Sequence, residues 1–151
     1  MRTVVQRVSH GKVAVGGRVV GEIGVGLVVL VGAVHGDTAA DAVACATKIS
    51  GLRVFRDDHG KMNRSVADVG GSVLVVSQFT LAGDVRKGRR PSFVAAADPA
   101  TAEPLIATFC EVVRAQEIRV EQGVFGADMT VTIVNDGPVT LIVDAQDGVV
   151  L

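Results

Sequence analysis

The sequence has no tryptophan and no tyrosine, and five phenylalanines supply all of its benzene rings. So few rings argue against a platform on which several nucleic-acid bases stack. An excess of charge is also missing, because 15 basic and 16 acidic residues leave a formal net charge of −1. The chain is therefore no polycation. Any contact with nucleic acid must come from a local basic patch, and charge repulsion barely opposes association between copies.

Cysteine and histidine are scarce. The two cysteines, Cys45 and Cys110, lack CxxC spacing and lie in segments of helical periodicity, which favours reduced core residues over a disulfide framework. The three histidines stand apart, so we predict no metal and no cofactor. The uncharged run at residues 23–36 is too short to span a bilayer, and no targeting segment is visible. We therefore expect a cytoplasmic protein without membrane contact.

Valine and glycine are abundant, a composition that favours short strands separated by turns. Apolar runs predict strands over residues 3–9, 12–15, 18–23, 27–34, 52–56, 72–79, 118–122, 129–135 and 139–144. The Gly16-Gly17 pair predicts a hairpin turn between the second and third of these strands.

Two segments have the periodicity of amphipathic helices. The first begins near Thr38, with Asp41 three residues later as in a capping box. The second begins at Asp98-Pro99, where an N-cap residue precedes a proline in the first helical position.

The order of the elements constrains how the strands pair. Each predicted helix separates two apolar strands, so 27–34 with 52–56, and 72–79 with 118–122, can form parallel crossovers. The N-terminal hairpins require antiparallel pairing as well. We therefore predict an α/β fold in which residues 1–151 form a single domain of three layers. Mixed β-sheets would carry the two main helices on one side.

Hydrogen-bonding side chains appear abruptly where the apolar strand 72–79 ends, at Ser77, Gln78 and Thr80. Ligands bind at strand ends in open α/β sheets, and a buried glutamine is costly unless it is paired. The residue types alone equally fit a simpler alternative, in which Ser77 and Thr80 only hydrogen-bond nearby backbone as the strand turns.

Four cations occur within five residues, at Arg86, Lys87, Arg89 and Arg90. Arginine grips phosphate with two parallel hydrogen bonds, so this loop is a candidate phosphate-contact patch. The alternative is a solvated loop whose charges only offset acidic residues elsewhere. With no tryptophan or tyrosine and only five phenylalanines in the chain, the patch suits backbone contacts better than sequence readout.

Two further segments are turns by residue type alone. Residues 135–140 read Asn-Asp-Gly-Pro-Val-Thr, in which Asp136-Gly137 is a hairpin signal and Pro138 lacks a backbone donor. Only about 5–6% of X-Pro bonds are cis, so the residues by themselves favour a trans bond. Residues 125–129 read as a turn with apolar ends, Phe125 and Met129.

In their order and spacing, these segments together resemble the D-aminoacyl-tRNA deacylases of the bacterial and eukaryotic type. The resemblance runs from residues 5–8 to residue 144 and takes in segments 60–63, 77–81, 88–93, 125–129 and 135–140. It implies a homodimer that hydrolyses the ester joining a D-amino acid to the 3′-terminal adenosine of tRNA. It also implies that glycine is removed from mischarged tRNA, such as the alanine tRNA.

The resemblance implies roles for particular residues. The catalytic segment, at the dimer interface, would be Ser77, Gln78, Phe79 and Thr80. The residues of substrate binding and chiral selection would be Gly137, Pro138, Arg7, Phe125 and Met129. Gly137-Pro138 matches the family's Gly-cisPro motif, which enters the partner's site and directs two carbonyl oxygens to where an L side chain would sit. Arg7 matches the arginine that orients this motif. The basic residues Arg86, Lys87, Arg89 and Arg90 are expected to contact tRNA.

The expected chemistry is direct attack by water. No His/Asp pair stands beside Thr80 in the sequence, which argues against an activated covalent nucleophile. We expect the substrate's own ribose 2′-hydroxyl to assist, with Thr80 positioning or hydrogen bonding. Backbone N–H groups around Phe79 and Thr80 would stabilise the tetrahedral intermediate. Two alternatives stay open: a related deacylase that tolerates L-alanine and carries Gly-transPro, and a non-catalytic nucleic-acid-binding module.

Overall fold

A seven-stranded mixed sheet organises the chain, which a computed structural model describes over residues 1–151. In chain order the strands are β1 (Arg2–Val15), β2 (Arg18–Ile23), β3 (Gly26–Gly32), β4 (Phe55–Arg56), β5 (Met62–Arg64), β6 (Ser72–Ser77), β7 (Arg119–Gln122), β8 (Thr130–Gln146) and β9 (Val149–Val150). The sheet runs β7-β6-β3-β1-β8-β9, with β2 paired to β1. The pairs β3–β6 and β6–β7 are parallel, and the others are antiparallel.

The two helices, α1 (Ala39–Ser50) and α2 (Pro99–Arg114), begin where the sequence predicts. At the start of α1 the Thr38 N–H donates to Asp41 Oδ2 at 2.7 Å. At the start of α2 the Thr101 N–H donates to Asp98 Oδ1 at 3.0 Å. These side chains satisfy N–H groups that a helix end leaves without internal partners. Neither helix has the length and apolar composition that crossing a bilayer requires.

Different layers lie on the two faces of the sheet, and the face opposite the helices is covered only in part. The helices pack on one face, where Ile49 and Phe109 join the main core. On the other face the sheet curls back over itself, so that Ile23 packs against Leu74. Gly21 permits a close approach between β2 and β7, because a Cβ there would lie 2.6 Å from the Gln122 carbonyl oxygen. The prediction of helices on one side is confirmed, but one curled sheet supplies both β layers in place of separate mixed sheets.

One predicted crossover is wrong. Strand β4 does not join the main sheet but pairs with β5 in a separate two-stranded ribbon, and β3 pairs in parallel with β6 instead. The physical reason is that a central parallel strand is buried on both faces and needs a continuous apolar run. Such a run is present in β6, whereas Arg53 and Arg56 flank the short apolar segment at β4. The second predicted crossover, from β6 through α2 to β7, is confirmed.

Strands β1 and β8 are longer than predicted. Breaks were expected at His10-Gly11 and at residues 136–138, yet both positions lie inside a continuous strand. The β1–β8 register shifts between Gln6 and Val8, opposite residues 136–139, and again between Val8 and His10. The hairpin predicted at Asp136-Gly137 is therefore wrong. The two flanking segments do not pair with each other, because both pair with β1.

Candidate active site

The end of β6 opens into a cavity of about 610 Å³. The cavity lies between β3, the end of β6, the start of α2 and the segment that precedes β8. Among its lining residues are Ser77, Gln78, Phe79, Phe93, Phe125 and Met129. The structure therefore brings three of the four residues of the predicted catalytic segment to the same cavity as Phe125 and Met129, although the two groups are separated in the sequence.

Thr80 lies beside the cavity, outside its lining, in a short 3₁₀ helix (Phe79–Ala82). Its Oγ1 accepts a short hydrogen bond from the side-chain Nε2 of Gln78. Neither the Ser77 nor the Thr80 hydroxyl forms a hydrogen bond with the backbone. The simpler alternative, in which these hydroxyls only bond nearby backbone groups, is therefore wrong. The first residues of a 3₁₀ helix have N–H groups without partners inside the helix, which leaves those of Phe79 and Thr80 as candidate oxyanion donors.

An aromatic contact ties the basic loop to the mouth of the cavity. The Phe79 ring, 59% exposed, meets Phe93 edge to face, with the ring centroids 5.2 Å apart. Phe93 follows Ser92, which closes the loop by pairing with Asp84: the Asp84 N–H donates to the Ser92 carbonyl at 2.8 Å, and the return bond is 2.9 Å. The loop therefore begins and ends next to the cavity.

Charge in the basic loop is only partly compensated. Arg86 Nη2 lies 2.7 Å from Asp84 Oδ2, and this hydrogen-bonded pair lowers the pKa of Asp84 and raises the pKa of Arg86. Lys87, Arg89 and Arg90 are exposed and form no ion pair. Three of the four cations are thus available to an external anion.

Gly137 and Pro138 belong to a second group of residues that lines no part of this cavity. The β1–β8 register passes from Gln6 with Thr140 to Val8 with Asn135, so residues 136–139 leave the ladder. We call these four residues the Gly137–Pro138 excursion. Its Gly137–Pro138 peptide bond is cis, contrary to the trans bond that the residues alone favour. At Gly137 φ is +146°, and a Cβ would lie 2.8 Å from the Val139 nitrogen, so only glycine fits without a shift.

Arg7 reaches into the excursion from the middle of β1. Its side chain is 2% exposed; Nε donates to the Asp136 carbonyl at 2.9 Å and Nη1 to the Val54 carbonyl at 2.5 Å. The Asp136 carboxylate lies 3.4 Å from Arg7 Nε and 3.4 Å from Arg56 Nη1. Val54 and Arg56 are thus further supports of this excursion, and neither was predicted. No local signal marks them, since they precede Asp136 by some 80 positions.

No three His, Cys, Asp or Glu side chains come together in an arrangement that could hold a metal ion. The two cysteines are buried in the main core, and burial raises the pKa of both thiols, Cys45 and Cys110, to about 11. Neither thiol lines the cavity. The polar side chains that line the cavity are the hydroxyl of Ser77, the carboxamide of Gln78 and the carboxylate of Asp128.

Comparison with known protein families gives a match over most of the chain. A family model described as D-Tyr-tRNA(Tyr) deacylase matches residues 4–144. Two relatives named D-aminoacyl-tRNA deacylase, from Thermus aquaticus and from Geobacillus sp. (strain WCH70), are each 58% identical over 147 residues. The matched region covers 97% of this chain and 97% of each relative.

Two solved structures are similar over nearly the whole chain. The first is named c-Myc DNA Unwinding Element Binding Protein; its TM-score is 0.90 at 41% identity, and the match covers 97% of this chain and 99% of that one. The second is described as a probable eukaryotic D-amino acid tRNA deacylase. Its TM-score is 0.81 at 20% identity, with 95% of this chain and 98% of that chain covered, and it shows the same fold.

Proposed function

The chain belongs to the D-aminoacyl-tRNA deacylase family of hydrolases, and from this premise we propose that it cleaves the ester between a D-amino acid and the 3′-terminal adenosine of tRNA. The observation that carries this proposal is the convergence of Ser77, Gln78 and Phe79 with Phe125 and Met129 on one cavity. Residues 1–151 act as one deacylase domain. Because its substrate is charged tRNA, the enzyme works in the cytoplasm.

Water is the nucleophile of the proposed reaction. Its oxygen bonds to the ester carbonyl carbon, the bond from that carbon to the ribose 3′-oxygen breaks, and the ribose oxygen leaves with a proton. Thr80 is poorly suited to attack, because its only side-chain partner is the Gln78 carboxamide, which is no base. The N–H groups of Phe79 and Thr80 stabilise the oxyanion, and the substrate's 2′-hydroxyl assists proton transfer.

Stereoselection is assigned to the Gly137–Pro138 excursion of the partner subunit. Its residues are free of the β ladder, and Gly137 and Pro138 are exposed. Two fixed carbonyl oxygens at the partner's cavity accept from the substrate's α-ammonium and leave no room for an L side chain, whereas a D side chain points away. Glycine has no side chain to exclude, so glycine that has been mischarged onto the alanine tRNA is hydrolysed from it as well.

This arrangement requires a homodimer, and the open face of the sheet supports one. Val76, Leu30, Val4 and Ile142 stand in one row across β6, β3, β1 and β8, on the face opposite the helices. Burial decreases along this row until Ile142 is 71% exposed. Apolar surface left open at the end of such a row favours cover by a second copy, which the low net charge does not oppose.

The basic loop is assigned to the tRNA backbone. Lys87, Arg89 and Arg90 have no carboxylate partners, and the contact between Phe79 and Phe93 holds their loop at the cavity mouth. A phosphate beside the 3′ end of a bound tRNA would therefore lie within their reach. Such contacts position the substrate without reading its sequence.

Hydrolysis of matched D-tyrosyl-, L-tyrosyl-, L-alanyl- and glycyl-tRNA tests the proposal. We expect rapid hydrolysis of the D and glycyl substrates and survival of both L substrates. Cleavage of L-alanyl-tRNA would indicate the L-tolerant type of deacylase. The name of the 41% identical structure favours one further candidate, a nucleic-acid-binding module, which binding without any hydrolysis would support.

A further inference from the structure

One side chain, that of Asn135, closes the C-terminal end of the Gly137–Pro138 excursion. Its Oδ1 accepts from the Val139 N–H at 2.7 Å, and its Nδ2 donates to the Val139 carbonyl at 3.1 Å. The same Nδ2 lies 3.1 Å from Gln6 Oε1 and 3.1 Å from Thr140 Oγ1. A backbone N–H can only donate, so its contact identifies the oxygen end of the carboxamide. Asn135 therefore holds Val139 through both of its backbone polar groups.

Arg7 and Asn135 hold opposite ends of the excursion. Arg7 binds the carbonyl of Asp136, the residue before Gly137, whereas Asn135 binds Val139, the residue after Pro138. The β1–β8 ladder has no pair between these two anchors. Without Asn135, the excursion would stay hydrogen-bonded at Asp136, but its other side would lose the hydrogen bonds that fix the Val139 backbone before Thr140, where the ladder resumes.

We propose that Asn135 is a positioning residue for stereoselection: by fixing Val139, it sets the direction of the Gly137 and Pro138 carbonyl groups. The inference rests on the proposed function, in which those two carbonyl groups exclude the L side chain. A purely structural role would lower stability, or lower the hydrolysis of D and L substrates in proportion. A positioning role instead changes the ratio between the two substrates, so that ratio is the decisive measurement.

The test compares kcat/KM for D-tyrosyl-tRNA and L-tyrosyl-tRNA. In Asn135→Ala both contacts with Val139 are lost, and the D:L ratio is expected to fall about tenfold, which corresponds to about 1.4 kcal/mol. That is the size of about one net hydrogen bond. Asn135→Asp keeps an acceptor for the Val139 N–H but sets an oxygen against the Val139 carbonyl, so its ratio should fall as well. If Asn135→Ala fails to fold, Asn135→Asp carries the test.

Hydrogen exchange gives a second measurement that does not depend on activity. The Val139 amide proton should exchange faster in Asn135→Ala, because its acceptor has gone. The matched control is Gln116→Ala, which removes a carboxamide that donates to the Val112 carbonyl at 3.2 Å, at the end of α2. This control should change neither the D:L ratio nor the exchange of Val139. Unchanged Val139 exchange in Asn135→Ala would overturn the inference.

A further variant separates failure of this inference from failure of the proposed function. Gly137→Ala displaces the excursion directly, since the new Cβ would lie 2.8 Å from the Val139 nitrogen. Loss of D preference in both Gly137→Ala and Asn135→Ala supports the inference. Loss in Gly137→Ala alone overturns the role of Asn135 and leaves the proposed function standing. An unchanged preference in Gly137→Ala overturns the proposed role of the excursion, and the inference with it.

Discussion

Replacing Arg7 by methionine tests how the excursion is held. The change removes one donor from the Asp136 carbonyl and one from the Val54 carbonyl, while the methionine side chain fills much of the volume. Asp136 lies in the partly exposed excursion, where water can replace the lost donor. Val54 is buried, so its carbonyl stays unpaired. A hydrogen bond to a charged group contributes about 1.5–3 kcal/mol, and we expect Arg7→Met to cost about 2 kcal/mol of unfolding free energy.

For a chain of this length, that loss lowers Tm by about 4–8 °C. Thermal or urea unfolding measures it, and the D:L ratio of kcat/KM measures the functional consequence, a loss of stereoselection. Arg2→Met is the matched control on the same strand. Arg2 is about half exposed and pairs with Asp144 at 3.2 Å, so its removal should change stability by less than about 1 kcal/mol and leave the ratio unchanged. An Arg7→Met protein that is destabilised but fully selective would refute the orienting role.

Three further outcomes are expected. Thr80→Ala should keep substantial activity while a substrate without the terminal 2′-hydroxyl turns over slowly, and single-turnover assays measure both. Replacing Arg89 and Arg90 by alanine should raise KM and flatten its salt dependence, as measured across a range of NaCl concentrations. Burial raises the pKa of Asp41, but hydrogen bonds from the Gly148 and Thr38 N–H groups outweigh it and lower the pKa below its ordinary value of 3.8. The lowered pKa contributes to the free energy of unfolding above pH 3.8, and this contribution is lost as pH falls through the folded pKa. Asp41→Asn should therefore have a lower free energy of unfolding near neutrality, and that free energy should fall less on acidification. Urea unfolding at several pH values measures both.

Each of these outcomes has a control or a contrary result. Loss of activity in Thr80→Ala as complete as for a nucleophile would contradict direct attack by water. Arg18→Ala removes an exposed cation of the N-terminal hairpin, and an equal effect on KM there would favour the solvated-loop alternative. The matched control is Glu103→Gln, which removes the charge of an exposed carboxylate in α2. An identical acid dependence in Asp41→Asn would contradict the role given to Asp41.

The elements that were predicted correctly are those whose structure is determined by residues close together in the sequence. The turn at Gly16-Gly17, the cap at Thr38 and the start of α2 at Asp98-Pro99 are where their residue types place them. Each depends on the backbone preferences of one or two residues and on hydrogen bonds to positions a few residues away. The polar end of β6 was visible for a similar reason, because its polar side chains directly follow an apolar run.

The supports of the excursion could not be predicted in this way. Arg7 meets Val54 across 47 positions, and Arg56 meets Asp136 across 80. Asp136-Gly137 has the same local chemistry whether its flanking segments pair with each other, as in a hairpin, or both pair with a third strand, as they do here. The resemblance to a family supplied the Gly-cisPro expectation that local reasoning lacked.

A mixed dimer tests most directly whether the carbonyl groups that exclude the L side chain come from the neighbouring subunit. One protomer would carry Gln78→Ala, which damages its cavity, and the other Gly137→Ala, which displaces its excursion. Co-expression with two different tags isolates the mixed species. If selection acts across the interface, the intact cavity of the second protomer meets the intact excursion of the first, and hydrolysis is D-selective at about half the normal rate per dimer. A mixed dimer that cleaves L-tyrosyl-tRNA as freely as the Gly137→Ala homodimer, or a chain that stays monomeric in solution, would contradict the account.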